Sequence, residues 1–413
     1  MLENPTSAME DTQQATCVDP ELVKGWSRMA KCSLLLGDKV TAATAGNRLN
    51  ELGESEGGEV LDKVEMLEKY ERSAQAAMTV GKYRDAAYWY RQAVQLSPHC
   101  NQMRVGLAEC AVYQDMFGEA MEEVNRVLKI DAKDTEAIFV RGICFYYQDM
   151  ADNAIEHFKT VLKLSPDHAR AKEMFKRVKK LTNLKDCGNE AFKAGDFLTA
   201  LIHYTEALSV DYLHKNLNSK LYFNRATVHS KLGDLEKCVD DCTAALENDH
   251  NYLKPLLRRA KTYMDMKDFE NAIKDYEKAH ASNPPNIEVK DLLRDAKHEM
   301  KKATRKDYYS ILNIDTSASD EEIKRAYRTQ AMKHHPDKHS NDVEKDKELH
   351  EKMFKEVGEA YAILSDTKQK EIFDKEEDID DAEWDVDEDG NIDSEAIWKQ
   401  FFGGEQNTYY AYL

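Results

Sequence analysis

Gly81-Lys82-Tyr83-Arg84-Asp85-Ala86-Ala87-Tyr88-Trp89-Tyr90-Arg91-Gln92-Ala93-Val94-Gln95-Leu96-Ser97-Pro98 carries a pattern that returns along most of the chain. Ala86, Tyr90 and Ala93 follow the glycine turn at helical spacing, and Pro98 closes the segment. The same offsets give Ala120, Val124 and Val127, then Ala154, Phe158, Val161 and Pro166, in units that start at Leu67, Asn101 and Thr135, 34 residues apart. A repeat of this length is one helix pair that buries its apolar face only by stacking on the next. Small residues belong where the two helices cross closely, aromatic ones fill the space between units, and proline follows the second helix, where it breaks nothing.

A second set starts at Leu181, Ser219 and Leu253. It shows Gly188, Ala200, Tyr204 and Ala207, then Ala226, Cys238, Cys242 and Ala245, then Ala260, Ala272, Tyr276, Ala279 and Pro284. One interval is 38 residues, and its extra residues fall in Tyr212 to Asn218, which reads as a longer loop. The pattern resembles the tetratricopeptide repeat, and a degenerate copy covers Glu21 to Gly53, with Trp26, Ala30, Gly37 and Ala42. The basic stretch Ala169 to Lys180 reads as a capping helix that leads into the second set. Ile287 to Arg305 keeps a helical apolar pattern (Val289, Leu292, Leu293, Ala296, Met300) and reads as a second capping helix, running on towards the next domain.

Past residue 305 the pattern changes. Ile323, Tyr327, Ala331 and His334 recur at helical spacing as a core face, and Lys324, Arg325 and Arg328 fall together on another, exposed face. Extending the helix to His335 puts that residue on the basic side. Pro336 ends the helix, because proline disfavours helical backbone at the residue before it. Phe354, Val357, Tyr361 and Leu364 form the face of a second helix, so the two pair antiparallel across a loop bearing His335 and Asp337, while Tyr308, Tyr309 and Leu312 supply a short first helix. His335-Pro336-Asp337 with these flanks resembles the J-domain of DnaJ-type co-chaperones. The resemblance implies that the three residues trigger ATP hydrolysis in heat-shock protein 70, performing no chemistry themselves, and that Lys324, Arg325 and Arg328 dock on an acidic patch of that chaperone's ATPase domain. The last helix departs from the family: the run is Gln369-Lys370-Glu371-Ile372-Phe373-Asp374, where an arginine and a tyrosine are common, and Phe373 fills the aromatic position.

Tetratricopeptide modules that hold the acidic C-terminal tails of cytosolic heat-shock chaperones use two lysines, two asparagines and an arginine at fixed repeat positions. Charge-assisted hydrogen bonds to a terminal carboxylate are worth about 1.5–3 kcal/mol each. In the register set by the small residues, those positions hold Lys185, Asn189, Asn224, Lys254 and Arg258. The first set holds Glu71, Gln75, Gly106, Glu136 and Val140 there, so only the second resembles a tail receptor. The first has no assigned ligand: it binds client, packs on the second module, or spaces the J-domain.

The net charge of −19 argues against a general nucleic-acid or anionic-membrane binder. No run of 18 apolar residues occurs, the start of the chain does not read as a secretory signal, and Tyr409 to Leu413 is not an ER retrieval signal. The 8 scattered cysteines, with Cys238 and Cys242 read as buried free thiols, fit a reducing compartment, cytosol or nucleus. Residues 376–395 hold 12 acidic side chains and no basic one, which reads as a solvated, partly disordered tail. Asp385 to Asp393 imitates a calcium loop, but its twelfth position is Ala396 rather than a glutamate, so no metal is expected. Beyond it, Ile397, Trp398, Phe401 and Phe402 form an apolar patch that folds back on the J-domain or binds a partner.

The expected fold is therefore all-α, a tetratricopeptide-repeat solenoid followed by a J-domain helical hairpin. Its parts are a disordered segment 1–19, a first module 20–180, a clamp-bearing second module 181–286, a linker helix 287–305, a J-domain 306–375 and an acidic tail 376–413. The whole resembles the cytosolic tetratricopeptide-repeat J-domain co-chaperones of DnaJ subfamily C type. That family usually has a further N-terminal pair of repeats, which this sequence lacks. The resemblance implies a non-enzymatic protein without cofactors. Its partners would be heat-shock protein 70, through ATPase domain and tail, the tail of heat-shock protein 90, and unfolded clients. The alternative is a passive tail-binding scaffold with a weak J-domain. An acid–base site at His334, His335 and Asp337 is disfavoured, since no nucleophile lies at a compatible spacing and no phosphate-binding glycine loop occurs.

Overall fold

The computed structural model describes residues 5–282, 287–304, 306–339, 344–374 and 397–398. Among them there are helices and no strand. Two compact units arise, Met1–Lys290 and Asp291–Leu413.

In the first unit the chain winds through consecutive antiparallel helix pairs: α2 (Val23–Leu36) with α3 (Lys39–Glu51), α4 (Glu56–Thr79) with α5 (Tyr83–Leu96), α6 (Asn101–Val112) with α7 (Phe117–Ile130), and α8 (Thr135–Tyr147) with α9 (Ala151–Leu164). The second set continues with α10 (Ala169–Lys193) and α11 (Phe197–Leu208), α12 (Lys215–Leu232) and α13 (Leu235–Asn248), α14 (Leu253–Asp265) and α15 (Phe269–Ser282); the boundary between the units then falls within α16 (Ile287–Thr304). The small residues sit where the periodicity puts them: Ala86, Ala120, Ala154, Ala200, Ala245 and Ala272 are all fully buried. Gly142 and Gly188 show why. A Cβ on Gly142 would stand 2.7 Å from the Phe158 ring, and one on Gly188 2.6 Å from the Tyr204 ring.

Within each pair the turn needs one residue at positive φ, fifteenth in the repeat. Glycine holds it at Gly81, Gly195 and Gly233, but Asp115, Asp149 and Lys267 adopt it too, each at φ 62°. Two of these aspartates do more than turn the chain, as α12 shows.

The expectation of a longer loop over Tyr212 to Asn218 is corrected: α12 begins at Lys215, so part of the insertion is an extra helical turn. The His214 side chain accepts from the Leu217 backbone N–H (3.2 Å) and caps that turn. Lys215 then reaches Asp115 (2.7 Å), and Lys220 reaches Asp149 (2.5 Å), back across the preceding repeats. Buried Asp211 accepts from the Tyr146 hydroxyl (3.0 Å) and the Arg177 guanidinium (3.4 Å), while the Asn218 amide donates to the Asp211 carbonyl (2.8 Å). The insertion is a brace between the two sets of repeats. Its pairs are 100 and 71 residues apart in sequence, so no local periodicity announces them.

Two further expectations change. Residues 1–19 are not disordered throughout: Pro5–Val18 form α1, which packs on α2 and buries Pro5, Thr12 and Thr16. The Thr16 methyl fits against Gly25, where a Cβ would lie 2.9 Å away. A weakly amphipathic sequence hid this helix. The module boundary drawn at residue 181 falls inside α10, which runs 25 residues and joins cap and first repeat helix without a break. Pro284 lies outside the described residues.

The second unit contains α17 (Tyr308–Leu312), α18 (Asp320–His334), α19 (Glu344–Ser365) and α20 (Thr367–Asp374). Ser319 and Glu322 form a capping box at the start of α18. Ile323, Tyr327, Ala331 and His334 are buried, as their spacing predicts, against Phe354, Val357 and Leu364 of α19. Tyr327 stacks on Tyr361 at 4.4 Å, and Phe373 packs on Tyr308 at 4.9 Å, in the aromatic position read from the sequence.

Candidate functional site

Two surfaces carry the residues singled out by sequence. The first lies on α10, α12 and α14. Lys185 and Asn189 are one turn apart on α10, and Lys254 and Arg258 one turn apart on α14, so each pair shares a helix face. Asn224 of α12 bridges towards α10: its amide donates to Asn189 Oδ1 at 3.3 Å. Arg258 occupies on α14 the repeat position that Asn224 occupies on α12, which places it one repeat further along the same row. Direct contact is shown for the two asparagines, and the three cations are placed by their helix and repeat positions.

Tyr204 completes this arrangement, and sequence reading assigned it only to the core. With Gly188 beneath its ring, the hydroxyl reaches Asn189 Oδ1 and donates to it at 2.8 Å. That oxygen thus takes two donors, which turns the Asn189 NH2 group away and leaves it to donate elsewhere. The residue type alone gave no signal, since Tyr90 and Tyr276 hold the same repeat position; what sets Tyr204 apart is an asparagine, Asn189, one residue past the glycine under its ring. Tyr204→Phe should keep the fold and weaken binding of an acidic, carboxylate-ended peptide about three- to tenfold, the worth of roughly one neutral hydrogen bond. Titration of a labelled peptide checks this, and unchanged affinity would remove Tyr204 from the site.

The charges differ sharply from their neighbours. Among the described residues Lys185, Lys254 and Arg258 make no ion pair. Arg225 and Arg259, one residue beyond Asn224 and Arg258, are locked bidentately by Asp241 (2.8 and 2.6 Å) and Asp275 (2.7 and 2.8 Å). Those pairs are structural, sixteen residues apart in both repeats. Cys238 and Cys242 beneath them are buried free thiols, as read.

The equivalent row of the first set is occupied differently. Glu71 pairs with Lys39, and Glu136 accepts from His168 at 3.0 Å. A Cβ on Gly106 would meet the Tyr90 ring at 2.5 Å, so no larger side chain fits there without movement.

The second surface is on the second unit. Lys324, Arg325 and Arg328 are exposed on α18, opposite its buried face. The position of His335 is corrected: α18 ends at His334, and His335 takes ψ 130°, so its ring leaves the basic side. It packs edge-on to Phe354 at 5.3 Å and tilted to Trp398 at 4.7 Å. Its Nδ1 accepts from the Asp337 N–H at 3.2 Å, in a 3₁₀ turn over Pro336–His339. Asp337 projects into solvent with 91% of its side chain exposed, against 20% for His335.

A histidine cluster anchors this turn. His334 and His350 share a hydrogen bond between their Nδ1 atoms (2.8 Å), His339 stacks on His350 at 3.5 Å, and His339 also meets the Lys333 carbonyl (2.8 Å). Burial pushes the His334 imidazole below its ordinary 6.5, with Lys333, His350 and His339 acting in the same direction. A folded-state pKa below the unfolded one means that the unfolded chain takes up more protons. Stability should therefore be full above about pH 6.5 and fall as the pH drops below it, by up to about 1.4 kcal/mol per pH unit for this group. Denaturant unfolding of this unit at several pH values checks it. His334→Gln should flatten the slope, and a slope unchanged by that substitution would count against it.

Among the described residues no cluster of His, Cys, Asp or Glu is placed to hold a metal, and no helix is long and apolar enough to cross a membrane. The loop Asp385 to Asp393, the acidic run 376–395, Phe401 and Phe402 lie outside the described residues.

Comparison with known proteins agrees with this division. The DnaJ domain family matches residues 307–374, and tetratricopeptide repeat families match 77–138, 136–168, 219–252 and 253–286. The chain is 38% identical over 406 residues to DnaJ homolog subfamily C member 7 of Homo sapiens, covering 98% of this chain and 81% of that protein. It is 32% identical over 398 residues to the DnaJ homolog subfamily C member 7 homolog of Dictyostelium discoideum, covering 96% and 74%. The crystal structure of the P58(IPK) tetratricopeptide-repeat domain superposes with a TM-score of 0.50 at 19% identity, covering 73% of this chain and 85% of that one, a likeness of fold.

Proposed function

Because the chain belongs to the DnaJ subfamily C co-chaperones that join tetratricopeptide repeats to a J-domain, we propose that it holds the acidic C-terminal tail of a cytosolic heat-shock chaperone in its second repeat module while its J-domain drives ATP hydrolysis in heat-shock protein 70. The observation that carries the tail-binding half is the bonded Asn189–Asn224 pair set in a row with Lys185, Lys254 and Arg258, cations without an acidic partner among the described residues. A protein of net charge −19 that leaves three cations unneutralised on one groove presents a local field suited to an anionic peptide. The trigger half rests on the exposed Lys324, Arg325 and Arg328 of the helix that leads into the His335-Pro336-Asp337 turn. Tail capture raises the local concentration of the chaperone near the J-domain, and client loading follows from hydrolysis. Free thiols throughout the described residues suit the cytosol or nucleus.

Single-turnover ATP hydrolysis by heat-shock protein 70, with and without the full chain, tests this. Acceleration is the expected result. Tail binding without acceleration would leave a scaffold whose J-domain docks and does not trigger.

A further inference from the structure

His335 and Asp337 are separated by one proline, yet their exposures differ more than fourfold, 20% against 91% of the side chain. Two rings cover His335: Phe354 from α19, at 5.3 Å, and Trp398, at 4.7 Å from His335 and 6.0 Å from Phe354. Ile397 packs against the same hydrophobic cluster of the J-domain. Trp398 lies 24 positions beyond Asp374, the last residue of α20, so it belongs to no helix of the J-domain itself.

We propose that the segment Ile397-Trp398 is a built-in occupant of the J-domain's trigger face, and that a chaperone reading His335 must first displace the indole. This rests on the co-chaperone reading above. An aromatic ring seated on an imidazole and a phenyl edge buries the surface of His335 that a partner would touch, so docking of the tail and docking of the partner exclude each other. Because the segment is part of the same chain, its seating is an intramolecular event governed by an effective concentration and does not depend on how much protein is present. The occupied face also accounts for the direction of the His335 ring, which follows Phe354 and Trp398 rather than the basic face of α18.

The test uses the full chain and Trp398→Ala. The indole's ring current should displace the His335 ring-proton NMR resonances in the native protein, and the substitution should return them towards ordinary values. In ATPase assays with heat-shock protein 70, Trp398→Ala should reach half-maximal stimulation at roughly three- to tenfold lower concentration, since apparent affinity scales with the fraction of J-domain left open. Unmoved His335 resonances would overturn the proposal outright. Moved resonances with identical stimulation curves would overturn the competition while leaving the co-chaperone reading intact. No stimulation by either form would overturn the co-chaperone reading, and the competition with it.

Discussion

Lys254→Ala combined with Arg258→Ala should lower affinity for an acidic peptide ending in a free carboxylate by about a hundredfold or more. Each cation contributes a charge-assisted hydrogen bond of about 1.5–3 kcal/mol, and every 1.4 kcal/mol is a factor of ten. Neither side chain has an ion-pair partner among the described residues, so their removal strands no buried acid, and folding stability should change by less than about 1 kcal/mol. The neighbouring arginines supply the contrast. Arg259→Ala would leave Asp275, 9% exposed in its side chain, without its bidentate partner, and should cost about 3–5 kcal/mol of stability. Calorimetric peptide titration and denaturant unfolding, run on both variants, separate the two effects. Peptide affinity surviving the double substitution would move the tail site off this groove.

The second large effect is complete loss of ATPase stimulation in His335→Gln, with peptide affinity unchanged. The imidazole lies at the end of α18 and is not part of the helical core face formed by Ile323, Tyr327 and Ala331. Glutamine can still accept from the Asp337 N–H, so the 3₁₀ turn keeps its hydrogen bond. What disappears is the ring offered to the partner. Stimulation by His335→Gln at the native level would mean that the chaperone reads the exposed basic residues or Asp337 instead.

Much of this architecture was legible because steric demands repeat. A ring above Gly142 or Gly188 leaves no room for a Cβ, and such needs write small residues into the sequence at a fixed period. Helix α18 was legible for a similar reason: one face must be apolar, so the basic residues collect elsewhere. The same register puts Asn189 and Asn224 within hydrogen-bond reach of each other. What stayed hidden depends on contacts between distant residues. Lys215 meets Asp115 and Tyr204 bonds Asn189 through its hydroxyl, without any local periodicity, while for Trp398 the sequence offered folding back on the J-domain as one of two alternatives but not His335 as the contact. The left-handed turns at Asp115, Asp149 and Lys267 were masked because none is the glycine such backbone favours. Helix α1 was masked by its threonines and glutamines, which carry little apolar signal.

Helix α10 and the brace at α12 have a consequence for how the repeats come apart. Solenoids unfold by peeling where the interface between neighbours is weakest. Here the natural seam between the two sets is crossed by 25 continuous helical residues, by one apolar cluster running from Val105 to Val228, and by the Asp115–Lys215 and Asp149–Lys220 pairs. Amide exchange should find no separate opening of the second set, because melting it would fray α10 and expose the first. A force or a protease acting on one set of repeats therefore works against both, and a cut at residue 181 breaks a helix instead of separating two modules.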